Sequence, residues 1–192
     1  MKLDLHWRGP YGVGLFPDTP EAMEGLLGAG IYLRIKRYAG GRTVAYVGQS
    51  KQLLARMDKH VSAVLGLAHV LRDESGQVVF QPAFDARLRA LNDIETVAGL
   101  ALAEARRMRI FCAFCDDGFD SDFLGLVDYL LMQPLAESGK GGDAENINRP
   151  PVAEFDHEVI VESEFDGVAA ADEKLLPGLI GEAPLALEGT LG

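Results

Sequence analysis

Four residues in the first third of the chain carry side chains that can act together on a phosphate: the phenols of Tyr32 and Tyr46, the guanidinium of Arg56 and the imidazole of His60. Breaking a phosphodiester requires an oriented water, a group to take its proton, positive charge for the developing phosphorane, and protonation or metal stabilisation of the leaving oxygen. Arg56 supplies a permanently charged fork that matches phosphate. A phenol, with a pKa of about 10, is a poor base at neutral pH, so Tyr32 needs adjacent positive charge or a metal-bound water before proton transfer becomes feasible.

Periodicity shows which elements must position these groups. Ile31 to Arg37 alternates apolar and basic from Leu33 onward, Thr43 to Val47 is a second β-rich run, and Tyr38-Ala39-Gly40-Gly41-Arg42 between them supplies a Gly-Gly turn. An antiparallel hairpin of this kind brings Tyr32 and Tyr46 close in register and onto one face. Ser50 then caps a helix whose apolar stripe is Leu53, Leu54, Met57, Val61, Val64, Leu65 and Ala68. Arg56 and His60 fall on one flank of that stripe, one turn apart. Before the hairpin, Leu3, Leu5 and Trp7 alternate ahead of Gly-Pro and Thr-Pro-Glu turn signals, which predicts an edge strand and lead-in over 1–29. After it come an expected helical insertion over about 61–107, including a helix from Asp93 to Arg107, then a strand from Met108 to Cys115 and an apolar helix from Phe123 to Met132.

The ordered set Gly30-Ile31-Tyr32, Tyr46-Val47-Gly48, Gln49-Ser50 and Arg56-x-x-x-His60 resembles the GIY-YIG nuclease family, with Val47 where the second tripeptide usually carries Ile. The resemblance implies a nuclease domain over 30–150 of the α/β (α+β) class, a small, mainly antiparallel central sheet flanked by helices. It also implies an endonuclease that hydrolyses DNA phosphodiester bonds with one Mg²⁺ or Mn²⁺ ion. In that reading Tyr32 is the general base, Tyr46 orients water or phosphate, Arg56 clamps the transition state and His60 assists proton transfer. Gly48, Gln49, Ser50, Lys59 and Asn148 are expected beside the substrate. The family's metal-binding Glu lies on a helix after the third strand, ahead of a Pro and an Asn. Here that place in Leu126-Val127-Asp128-Tyr129-Leu130-Leu131-Met132-Gln133-Pro134 is taken by Asp128, with Glu137 and Glu145 as substitutes and Asn146 as the alternative to Asn148. Aspartate is a good hard-cation ligand but one methylene shorter, so the ion would sit deeper or bind through water.

Charge is distributed unevenly. The formal net charge of -11 argues against a phosphate partner, yet 151–192 holds ten acidic residues and one basic one, while Gly30 to His60 holds seven basic residues against Asp58 alone. The acidic end is expected to be a partly ordered appendage that aids solubility, with recognition of a basic protein partner as the alternative. A nucleic-acid-binding module that keeps the fold but holds metal poorly at Asp128 is the other competing class. The chain is 48% hydrophobic, which excludes disorder throughout. No apolar run reaches the ~20 residues of a membrane span, and Met1 to Arg8 lacks the apolar stretch of a secretory signal, so a soluble, cytoplasmic protein without a membrane partner is expected. Cys112 and Cys115, on a strand, would point to opposite faces and are read as core residues, neither disulfide nor chelate. Ser138-Gly139-Lys140-Gly141-Gly142 lacks the spacing of a phosphate loop and is read as a linker.

Overall fold

A computed structural model describes residues 2–115, 121–138, 158–181 and 184–187. Six strands form one sheet: β1 (Lys2–Tyr11), β2 (Gly30–Arg37), β3 (Thr43–Ser50), β6 (Met108–Phe114), β7 (Val159–Val168) and β8 (Leu185–Leu187), in the spatial order β3-β2-β6-β1-β7-β8. Neighbours are antiparallel except β1 and β7, which run parallel. The β2–β3 hairpin closes through Gly40 and Gly41 at φ of 78° and 82°, a region that L side chains rarely adopt. A small second sheet, β4 (Leu71–Arg72) with β5 (Val78–Phe80), belongs to the segment between the hairpin and β6.

Alternation along β2 divides the two sides of the large sheet. Ile31, Leu33 and Ile35 join Trp7, Ala45, Val47 and Phe111 on one side, packed with Leu124, Val127, Leu131 and Leu135 of helix α5 (Ser121–Glu137). On the other side Tyr32 joins Met108, Ile110 and Cys112 beneath α2 (Leu53–Leu65) and α4 (Ile94–Arg107), which contribute Leu53, Met57, Val64, Ala101 and Ala105. Four short helices complete the described fold: α1 (Pro20–Glu24), capped by Thr19, α3 (Phe84–Ala90), α6 (Ala170–Glu173) and α7 (Pro177–Ile180). Cys112 and Cys115 are free and pack on opposite sides, as strand alternation requires. Among the described residues no helix is long and apolar enough to cross a membrane.

Three expectations are corrected. The first strand is internal, between β6 and β7, with Leu5 and Trp7 fully buried. Its polar alternate residues suggested an edge because their partners lie far along the chain: Lys2 pairs with Glu162 at 3.0 Å, His6 with Glu164 at 3.0 Å, and Trp7 Nε1 donates to Ser163 Oγ at 3.1 Å. The acidic end is likewise no appendage over its described part. Val159, Val161, Leu176, Leu179 and Ile180 belong to the α5-side core, and the fully buried Asp172 carboxylate is held by Arg37 and Arg109. Finally, Ser50 does not cap α2; Gln52 is the N-cap residue, and Ser50 Oγ instead bonds the backbone N–H and C=O of Gln52, closing a turn one step earlier.

Candidate active site

Tyr32 pairs with Gly48 and Arg34 with Tyr46 across the hairpin, so the two tyrosines are diagonal neighbours on the α2 side, ring centroids 5.9 Å apart. Gly48 is what makes this possible. A Cβ at that position would stand 2.5 Å from Tyr32 Oη and 2.7 Å from Tyr46 Cε1, so the glycine leaves the space that the phenol fills. The glycine thereby seats Tyr32. Tyr32 is 1% exposed and Tyr46 half-buried. Burial raises the Tyr32 phenol above its ordinary value and Tyr46 adds to the effect, while Arg56 and Arg34 pull the other way without prevailing.

His60 comes to the same point from α2. Its Nε2 is 2.9 Å from Tyr32 Oη, and its ring centroid lies 5.1 Å from that of Tyr32 and 6.1 Å from that of Tyr46. On its far side Nδ1 is 3.0 Å from Arg34 Nη1. Burial, followed by the charges of Arg34, His69, Arg56 and Lys36, depresses the imidazole to about 2, so the ring is neutral near neutral pH. Arg56, a turn before His60, is half-buried and close enough to act electrostatically on both Tyr32 and His60. Tyr32, Tyr46, Arg56 and His60 are therefore brought together.

The other expected residues are dispersed. Lys59 is exposed on α2. Gln49 pairs with Ile31 and so faces the α5 side, its amide nitrogen 3.8 Å from where a Cβ on Gly125 would stand. Asn148, Asn146, Glu145 and the glycine-rich 139–142 lie outside the described residues. Glu137 is exposed at the end of α5. Asp128 shares the α5 stripe of Leu124, Leu131 and Leu135, which packs on Ile31, Leu33 and Val47, whereas the tyrosine–histidine group belongs to the opposite side. It is 7% exposed, its Oδ1 has no hydrogen-bond partner among the described residues, and burial alone pushes its carboxyl up to about 6. A hard cation prefers several converging oxygens. Asp128 meets that requirement poorly, and among the described residues no three His, Cys, Asp or Glu side chains cluster as a metal site.

Arg34 is the site residue that the sequence alone did not single out. Tyr32, Arg34 and Lys36 alternate along β2 on the face that α2 and α4 cover, and all three are buried. Buried cations must find partners. Lys36 Nζ donates to Glu104 Oε1 of α4 at 2.9 Å, an oxygen that also accepts from Tyr38 at 2.8 Å. Arg34 meets His60, and its guanidinium carbon sits 5.1 Å from the centre of the Tyr46 ring. Period-2 placement of Arg34 beside Tyr32 was the available signal.

Compared with protein-family models, curated proteins and solved structures, the chain matches none.

Proposed function

We propose that this protein is an endonuclease that hydrolyses DNA phosphodiester bonds at the Tyr32, Tyr46, Arg56 and His60 group, with one Mg²⁺ or Mn²⁺ as the cofactor that the resemblance implies. The observation that supports it best is the convergence of two phenols and a neutral imidazole under the charges of Arg34 and Arg56. In such a reaction a water oxygen bonds to phosphorus, the bond to the leaving oxygen breaks, the water's proton passes to a base, and the leaving oxygen is protonated from solvent. Tyr32 is too deeply buried to meet bulk water, so Tyr46, half-buried with its ring centroid 5.9 Å from that of Tyr32, is the phenol that orients the attacking water, whose proton leaves to bulk solvent as the base. Arg56 holds the phosphate. No step is assigned to the ion, because Asp128 fits it poorly. The test is cleavage of plasmid, single-stranded and branched DNA with and without Mg²⁺ or Mn²⁺ by the parent, Tyr32→Phe and Arg56→Ala. Loss of cleavage in folded variants supports the reading; equal cleavage by Tyr32→Phe refutes it.

The position of Asp128 on the other side of the sheet favours a second reading, a nucleic-acid-binding module without efficient cleavage. Salt-dependent DNA binding by the parent, with no cleavage under any metal, selects it.

A further inference from the structure

We propose that Arg34 is the positioning residue of this site: it sets the tautomer of His60 and thereby presents a hydrogen-bond donor to the phenol oxygen of Tyr32. The consequence for hydrolysis rests on the endonuclease reading, whereas the direction of the chain rests on geometry. Arg34 Nη1 lies 3.0 Å from His60 Nδ1, and His60 Nε2 lies 2.9 Å from Tyr32 Oη. A guanidinium has donors only and stays charged, so Nδ1 must accept and carries no proton. The neutral ring then bears its proton on Nε2 and donates it to Oη. A protonated ring would set two donors against each other at Nδ1. The charged and titratable groups around the ring, Arg34, Arg56, Lys36 and His69 with the Tyr32 and Tyr46 phenols, also oppose protonation or offer it no counter-charge.

The chain therefore runs one way, from a cation through a neutral imidazole to a phenol. His60 is not a base toward Tyr32. When the Tyr32 oxygen carries negative charge, it meets the Nε2–H, with the Arg34 cation one ring beyond, in a site from which water is largely excluded. Arg34 also faces the Tyr46 ring, so one buried cation touches the surroundings of both phenols.

The test is ¹⁵N NMR of the His60 ring nitrogens in the full chain, for the parent, Arg34→Met and Arg34→Lys, alongside kcat and KM for DNA cleavage. The parent is expected to show an unprotonated Nδ1 and a protonated Nε2 around neutral pH. Arg34→Met is expected to lose that preference, with the titration of the ring moving up toward an ordinary histidine; Arg34→Lys, itself an obligate donor, retains the tautomer. In cleavage Arg34→Met lowers kcat roughly 10- to 100-fold, the loss of one charge-assisted donor chain, with KM changed by less than about threefold, and Arg34→Lys restores part of the rate. A proton on Nδ1 in the parent, or an unchanged tautomer in folded Arg34→Met, overturns the proposal whether or not the protein cleaves DNA. The parent spectrum decides the direction of the chain even if Arg34→Met fails to fold. The expected tautomers without any cleavage by the parent keep the assignment and overturn the endonuclease reading.

Discussion

Replacing Asp128 with Asn is expected to stabilise the protein at neutral pH and to lose that advantage in acid. The Asp128 carboxyl has the ordinary value of 3.8 in the unfolded chain and about 6 when folded, raised by burial beside Leu124 and Leu131 with no partner for Oδ1 among the described residues. Because the folded value is the higher one, the contribution of the neutral acid is fully present below about pH 3.8 and is lost as pH rises toward about 6, beyond which it stays level. Across that interval, at ~1.4 kcal/mol per pH unit, the parent loses about 3 kcal/mol relative to a variant that cannot ionise. Urea unfolding of parent and Asp128→Asn in steps from roughly pH 4 to 8 measures this directly, since the difference between the two is free of every other titrating group that they share. A difference that does not change with pH refutes the reasoning, for it means the carboxylate is hydrated or paired. If Mg²⁺ or Mn²⁺ stabilises the parent but not the variant, Asp128 holds an ion and the poor fit assigned to it is wrong.

Four further outcomes are expected. Lys36→Met alone leaves the Glu104 carboxylate buried without its ammonium and costs about 3–5 kcal/mol by urea unfolding, whereas Lys36→Met with Glu104→Leu costs much less. Gly48→Ala puts a methyl where the Tyr32 phenol lies, so it disturbs the aromatic NMR signals of Tyr32 and Tyr46 and lowers activity even where the fold survives; unchanged spectra would refute this account of the glycine. A chain ending at Pro150 lacks β7, α6, α7 and β8, and is expected to lose cooperative unfolding, so a faster nuclease from that truncation would contradict the fold. Because Arg34 and Lys36 are buried and Arg37 pairs with Asp172, the basic groups of this segment toward phosphate are Arg42, Lys51, Arg56 and Lys59. Log K for DNA against log salt should then fall with a slope of about -4, and a slope of about -6 would show that the buried bases reach DNA after all.

What the sequence shows of this protein follows the range over which its physics acts. The hairpin, α2 with Arg56 and His60 on one flank, α4 and β6 are written in local periods of 2 and 3.6 residues, and they appear where those periods place them. The same short-range patterns paired Tyr32 with Tyr46 and Arg56 with His60, while bringing the two pairs to one point was what the resemblance implied. Burial of the even-numbered face of β2 did not, because the groups that neutralise it come from other elements: His60 is 26 residues from Arg34 and Glu104 is 68 from Lys36. The internal position of β1 was hidden for the same reason, since Trp7 and its partner Ser163 are 156 residues apart. Asp128 was chosen by its place in a motif, and neighbours such as Leu124 and Leu131 decide which side of the sheet it faces.

The parallel pairing of β1 with β7 has a consequence for how the chain is made. A ribosome adds roughly 5–20 residues per second, so between the emergence of β1 and that of its second neighbour, some tens of seconds or less elapse. During that interval β1 has at most β6 beside it, and a row of backbone N–H and C=O groups next to Trp7 stays open to any other strand in reach. The nascent protein is thus most vulnerable in time, not in place. Slowing translation before the codons for Val159 should increase its demand for chaperones without changing a single contact in the finished molecule.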